Sequence, residues 1–189
     1  MNVQEATTRR LPDLKERHLP ENCRETINTI LKETYGYEQF RNLEIYDDLS
    51  KGKEKLCISQ GQLIENVILE AEKAWKSETQ VDNILLTAPT GSGKSLLFQL
   101  PAIYLGKEYN LLTIVVSPLK ALIVDQVESL QELGYARVAY ASSDLSPEQK
   151  MEVYRQVREG EIDLFYLSPE LLLSYDIKHF VGERRIGLV

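Results

Sequence analysis

Ala88-Pro89-Thr90-Gly91-Ser92-Gly93-Lys94-Ser95 follows a short apolar run, Ile84-Leu85-Leu86, and opens into a helical pattern at Leu96-Leu97-Phe98. Strand, glycine loop, helix is the context that a phosphate-binding loop requires. Gly91 and Gly93 let the backbone take conformations closed to other residues and approach a ligand closely. The loop's N–H groups then point inward, at the positive end of the helix that follows. In such a loop Pro89, Thr90, Gly91, Ser92 and Gly93 surround the phosphates. Lys94 supplies a mobile point charge to the β- and γ-phosphates, and Ser95 supplies a hydroxyl to Mg²⁺. The full pattern begins with Gly, where this chain has Ala88. The plainer alternative is a Gly/Ser turn followed by an ordinary helix.

Downstream of the loop the pattern is regular. Residues 111–116 form a continuous apolar run. Leu119, Leu122, Ile123, Val127, Leu130 and Leu133 make a helical stripe that stops at Gly134. Residues 137–141 predict a short strand. Ser146-Pro147-Glu148-Gln149 reads as a capping box with Pro at the first helical position. A strand over residues 162–167, a helix from Pro169 and a strand beginning at Gly187 complete the pattern. Strands alternating with helices predict an α/β fold, a parallel sheet with helices on both faces.

Upstream the reading is helical. Residues 1–20 are polar and read as a flexible arm. Residues 21–35 show helical spacing up to Gly36, and a second short helix is expected over residues 38–49. Lys51, Lys53 and Lys55 fall in an expected solvated loop. A longer helix over residues 62–76 carries Ile64, Val67, Ile68, Ala71 and Trp75 on one stripe. The expected organisation is therefore an arm at 1–20, a helical segment at 21–80 and a nucleotide-binding α/β domain at 81–189.

With 189 residues the chain has room for one good-sized domain. Its net charge of -7 means that any nucleic-acid contact must come from a local surface rather than from the overall field. Cys23 and Cys57 form neither a metal-ligand spacing nor a disulfide framework. No stretch is apolar enough to span a bilayer, and no signal-peptide pattern opens the chain. A cytoplasmic protein without membrane contact is the expectation.

Two further strand ends carry polar residues, Ser117-Pro118-Leu119-Lys120 with Asp125-Gln126, and Ser168-Pro169-Glu170. Ligands of parallel sheets bind at the C-terminal edge. Taken singly, each Ser-Pro pair reads as a helix cap, with Ser as the cap and Pro in the first turn. The same residues serve both purposes where helix N-termini face a phosphate backbone.

These motifs resemble those of superfamily 2 helicases. Residues 88–95 resemble motif I, residues 115–126 motif Ia, and Tyr166-Leu167-Ser168-Pro169-Glu170 motif Ib. Their wording is similar to that of RecQ-like DEAD/DEAH-box ATP-dependent DNA helicases. So are Phe98-Gln99-Leu100-Pro101-Ala102 and Tyr35-Gly36-Tyr37-Glu38-Gln39-Phe40-Arg41. The resemblance implies a P-loop NTPase domain of the RecA-like kind, with ATP and Mg²⁺ bound by the loop and Lys94 and Ser95 serving catalysis. It implies a single-stranded nucleic-acid partner, DNA in this family, gripped by Ser117, Pro118, Lys120, Ser168 and Pro169. The family's adenine-reading Gln closely follows the Phe-Arg pair, where this chain has Glu44. Gln62 is the candidate instead, displaced by an insertion, or else an ordinary helix-start glutamine. Motif II would follow Val189. The resemblance therefore implies part of a first motor domain, inactive alone, whose parent has a second RecA-like domain. Two other readings remain open at this point, a P-loop ATPase or kinase with no nucleic-acid partner, and a helicase-like scaffold without motor activity.

Overall fold

The computed structural model describes residues 17–46, 55–76, 83–86 and 91–189. The elements are α1 (Glu21–Tyr35), β1 (Asn42–Tyr46), β2 (Lys55–Ser59), α2 (Gln60–Lys76), α3 (Leu96–Tyr109), β3 (Leu112–Val116), α4 (Lys120–Glu132), β4 (Val138–Ala141), α5 (Pro147–Arg158), β5 (Leu164–Leu167), α6 (Pro169–Ser174), α7 (Ile177–Val181) and β6 (Ile186–Leu188). The chain divides into two compact units. One holds α1 up to Lys32, the β1–β2 pair, α2 and the start of α3. The other holds residues 33–36 and everything from Ala102 onward.

In the second unit, short strands of consecutive apolar residues pair in parallel in the order β4-β5-β3-β6. Val138 and Thr113 both lie opposite Leu164, and Ala141 and Val116 both lie opposite Leu167. The register between β3 and β6 shifts at Leu112/Thr113. All four residues of β5 are buried, as expected of a central parallel strand covered on both faces. On one face Phe165 and Leu167 meet Tyr154 and Val157 of α5 and Phe180 and Val181 of α7. The Tyr154 ring stands edge-on to Phe180 at 5.2 Å and to Phe165 at 6.4 Å, an arrangement favoured by the ring quadrupoles. The capping box of α5 forms as expected. Gln149 N–H donates to Ser146 Oγ at 3.2 Å, and Ser146 N–H donates to Gln149 Oε1 at 2.8 Å. The α4 stripe is narrower than its sequence suggests: Ile123, Val127 and Leu130 are buried, whereas Leu119, Leu122 and Leu133 are exposed.

The other end of the sheet is held by a buried acid. Asp163, only 2% exposed, precedes β5. It accepts from Arg137 Nε at 2.6 Å, Tyr135 Oη at 2.9 Å and Arg184 Nη2 at 3.1 Å. Burial, and then the Asp163 charge, push the Tyr135 phenol well above its usual range. A Cβ on Gly106 of α3 would lie 2.3 Å from the Asp163 carboxyl carbon, so only glycine admits this approach.

The first unit departs from expectation in several places. Residues 42–46, expected as helix, form β1, which pairs antiparallel with β2 from Asn42↔Ser59 to Tyr46↔Lys55. A short apolar run is compatible with either element, and here cross-strand pairing decides. Of the loop expected at residues 50–55, residues 50–54 lie outside the described residues, whereas Lys55 is the first residue of β2 rather than loop. α2 starts at Gln60 rather than Gln62, and Trp75 is 39% exposed rather than core. Of the expected arm, residues 1–16 lie outside the described residues, but residues 17–19 are tied down. Leu19 is buried with its N–H on Glu65 Oε2 at 3.0 Å, and Arg17 pairs with Glu70 at 2.7 Å. Finally, residues 83–86 carry no strand, and Leu85 is 92% exposed. Three apolar residues without burial do not hold a strand. Among the described residues, no helix is long and apolar enough to cross a membrane.

Candidate nucleotide and nucleic-acid sites

Of the phosphate loop, residues 91–95 are described, whereas Pro89 and Thr90 lie outside. Gly91 and Gly93 have φ of 81° and 77°, the left-handed region that the loop reading requires of them. Gly93 and Lys94 carbonyls accept from Leu96 and Leu97 N–H at 3.2 and 3.0 Å, and the Ser95 carbonyl accepts from Gln99 N–H at 2.9 Å. The loop thus feeds directly into the first turn of α3. Lys94 is exposed and Ser95 half-buried. Ser92 Oγ is buried with no hydrogen-bond partner among the described residues. An orphaned hydroxyl between two left-handed glycines suits a loop whose polar groups await phosphate oxygens.

Gln60 is the residue that sequence reasoning missed. It is 2% exposed. Its amide donates to the Ser92 carbonyl at 3.0 Å and accepts from Arg41 N–H at 3.2 Å. A Cβ on Gly93 would meet its Nε2 at 2.6 Å. Its own N–H returns to the Arg41 carbonyl at 2.9 Å. The chain therefore leaves at Arg41, makes the β1–β2 hairpin and comes back beside its point of departure. Gly61 then abuts the Phe40 ring, so Gly61-Gln62 follows Phe40-Arg41 in space. Of the two glutamines flanking Gly61, the sequence pointed only to the second. Gln62 is half-buried and lines a cavity of about 310 Å³ with His18, Arg24, Ile27, Phe40 and Glu65. Glu44, at the family's glutamine position, lies in β1.

The two Ser-Pro turns, both in the second unit, differ. Ser168 caps α6: its Oγ accepts from Leu171 N–H at 3.3 Å, Pro169 takes the first turn, and the residue is 5% exposed. Ser117 caps nothing. The N-cap of α4 is Leu119, with no side-chain bond. Ser117 N–H instead extends the β3–β5 ladder to the Leu167 carbonyl at 3.0 Å. Pro118 and Lys120 are exposed. Lys120 Nζ donates to Asp144 Oδ1 at 2.9 Å and to Ser143 Oγ. That hydrogen bond is the main cause holding the Asp144 carboxyl below its usual range. Glu170 is also held low, chiefly by its own backbone N–H and Ser168, with a smaller contribution from Lys120. Ser117, Lys120, Asp144, Ser168 and Glu170 all follow the C-terminal ends of parallel strands, and so lie along one sheet edge.

Comparison with known proteins agrees with this arrangement. The DEAD/DEAH box helicase family matches residues 68–187. ATP-dependent DNA helicase RecQ of Synechocystis is 32% identical over 165 residues, 87% of this chain and 28% of that protein. RecQ of Bacillus subtilis is 32% identical over 148 residues, 78% of this chain and 20% of that protein. ATP-dependent DNA helicase Q-like 5 of Arabidopsis thaliana is 32% identical over 152 residues, 80% of this chain and 13% of that protein. The chain thus spans less than a third of the length of each of these relatives. With the glycine loop feeding α3, the parallel RecA-like sheet and a family match over most of its length, the chain belongs to the DEAD/DEAH box helicase family, on its RecQ-like side.

Proposed function

We propose that this chain is the ATP-binding part of an ATP-dependent helicase that acts on DNA. The observation that carries the reading is the left-handed Gly91–Gly93 loop, joined to the start of α3, whose buried Ser92 hydroxyl has no hydrogen-bond partner among the described residues. Pro89, Thr90, Gly91, Ser92 and Gly93 would cradle the phosphates through backbone N–H groups. Lys94 would balance the β- and γ-phosphate charge, and Ser95 would hold Mg²⁺. The metal, when bound, neutralises charge that develops on the phosphate oxygens. Gln62 in its cavity is the candidate adenine contact. Gln60 holds the loop in shape by fixing the Ser92 carbonyl. At the sheet edge Ser117, Pro118, Lys120, Ser168 and Pro169 would grip the backbone of one strand, which positions it without reading its sequence. Ser168, already spent on its cap, would act through its backbone. Hydrolysis also needs a metal-holding carboxylate, a positioned water and a cation on the developing charge. Our reading assigns these to other parts of a cytoplasmic parent protein, including a second motor domain.

The test is titration of Mg·ATP into wild type and Lys94→Ala. Removing the ammonium should weaken binding by about 1.5–3 kcal/mol, tenfold or more. Equal affinities would take Lys94 out of the site and remove the reading's main support.

A further inference from the structure

We infer that Asp144 is a built-in counterion that occupies Lys120 and competes with nucleic acid for its ammonium at this edge. The inference rests on the proposed role of Lys120 and adds to it a residue that neither the motifs nor the family match point to. An ammonium has three donors. Two of them are spent on Asp144 Oδ1 at 2.9 Å and on Ser143 Oγ. The acid is aimed by its own loop: Ser143 Oγ donates to Asp144 Oδ1 at 3.2 Å, and Asp144 N–H donates to Ser142 Oγ at 3.3 Å. A carboxylate oxygen at this place presents to Lys120 what a backbone phosphate oxygen would present.

Both side chains remain accessible, with exposures of 47% for Lys120 and 70% for Asp144. Such a pair is weak and open to exchange. Phosphate can therefore take the ammonium, but only in competition with Asp144. A Lys120–phosphate contact leaves Asp144 as a fresh anion beside the strand, which takes up a cation and offsets part of the cation release from the nucleic acid, so binding becomes less salt-sensitive. The positive charge of Lys150 also favours the charged form of Asp144, and that of Lys120 favours the charged form of Glu170. The loop after β4 thus sets how strongly this edge holds a strand.

The experiment measures binding of a labelled single-stranded oligothymidine across a series of KCl concentrations. It uses the full chain as wild type, Asp144→Asn, Lys120→Ala, the double variant, and Glu128→Gln, which removes an equal charge from an exposed position of α4. Thermal melts verify folding. Asp144→Asn should bind about two- to fivefold tighter. Its log–log salt slope should steepen by up to about 0.7. Lys120→Ala should cost more in the Asp144→Asn background than in wild type, and Glu128→Gln should match wild type. Equal gains from Asp144→Asn and Glu128→Gln would overturn the inference, since the overall field would then be the cause. If Lys120→Ala weakens binding while Asp144→Asn changes nothing, only the counterion role falls. If Lys120→Ala is silent in both backgrounds, the grip itself falls, and this inference with it.

Discussion

The parallel sheet of residues 112–188 and the hairpin of residues 42–59 are both built from five-residue strands or shorter, yet they depend on their surroundings differently. Each β5 residue is covered on both faces, so every position is constrained by packing. In the hairpin, Ile58 is buried while Asn42, Glu44 and Cys57 are exposed. Its backbone pairing holds it, and its two ends meet at Arg41 and Gln60. An excursion whose ends are already together adds little closure entropy as it lengthens. The sheet is therefore expected to suffer from single side-chain changes, and the hairpin to tolerate changes away from its base.

The sharpest way to break this contrast is Asp163→Ala. It would leave Arg184, whose side chain is 5% exposed, without its acid. Removing one partner of a buried pair costs about 3–5 kcal/mol, and urea unfolding would read it. A loss below about 1 kcal/mol would mean that the acid is not what holds that end of the sheet.

Gln60→Ala probes the hairpin's base. It strands the Arg41 N–H and the Ser92 carbonyl, at a cost of about 1–3 kcal/mol. It should also weaken nucleotide binding, because Ser92 lies in the loop. If stability falls while Mg·ATP affinity holds, Gln60 supports the fold but not the loop. The smallest effect is expected at the tip. Replacing residues 47–54 by Asn-Gly gives Tyr46 and Lys55 a two-residue turn suited to a hairpin. Nucleotide affinity, read by the same titration, should stay within about twofold, a change of under half a kcal/mol. A larger loss would show that the hairpin takes part in the site.

The same contrast explains what the sequence disclosed. β3, β4 and β5 are apolar runs between turn signals, and Ser146 with Gln149 announces α5. These are local signals and the structure bears them out. Residues 42–46 are too few to separate strand from helix, and their pairing with residues 55–59 is not written in either stretch alone. In the candidate site the left-handed glycines were legible because the loop motif is contiguous. Gln60 was not, because its importance comes from Ser92, 32 positions away. Asp144 was hidden likewise by its 24-position separation from Lys120. The two Ser-Pro pairs look alike in sequence, yet only Ser168 caps a helix.

The hairpin that closes on Arg41 and Gln60 also gives the protein a natural attachment point. Cys57 is exposed on β2, three residues from Gln60, whereas Cys23 on α1 is partly covered. A thiol-reactive dye would favour Cys57. Its strand runs straight into the glutamine that holds the Ser92 carbonyl. If nucleotide binds the loop as proposed, the emission of a dye on Cys57 is expected to change on titration with Mg·ATP, an optical gauge of occupancy that needs no engineered cysteine.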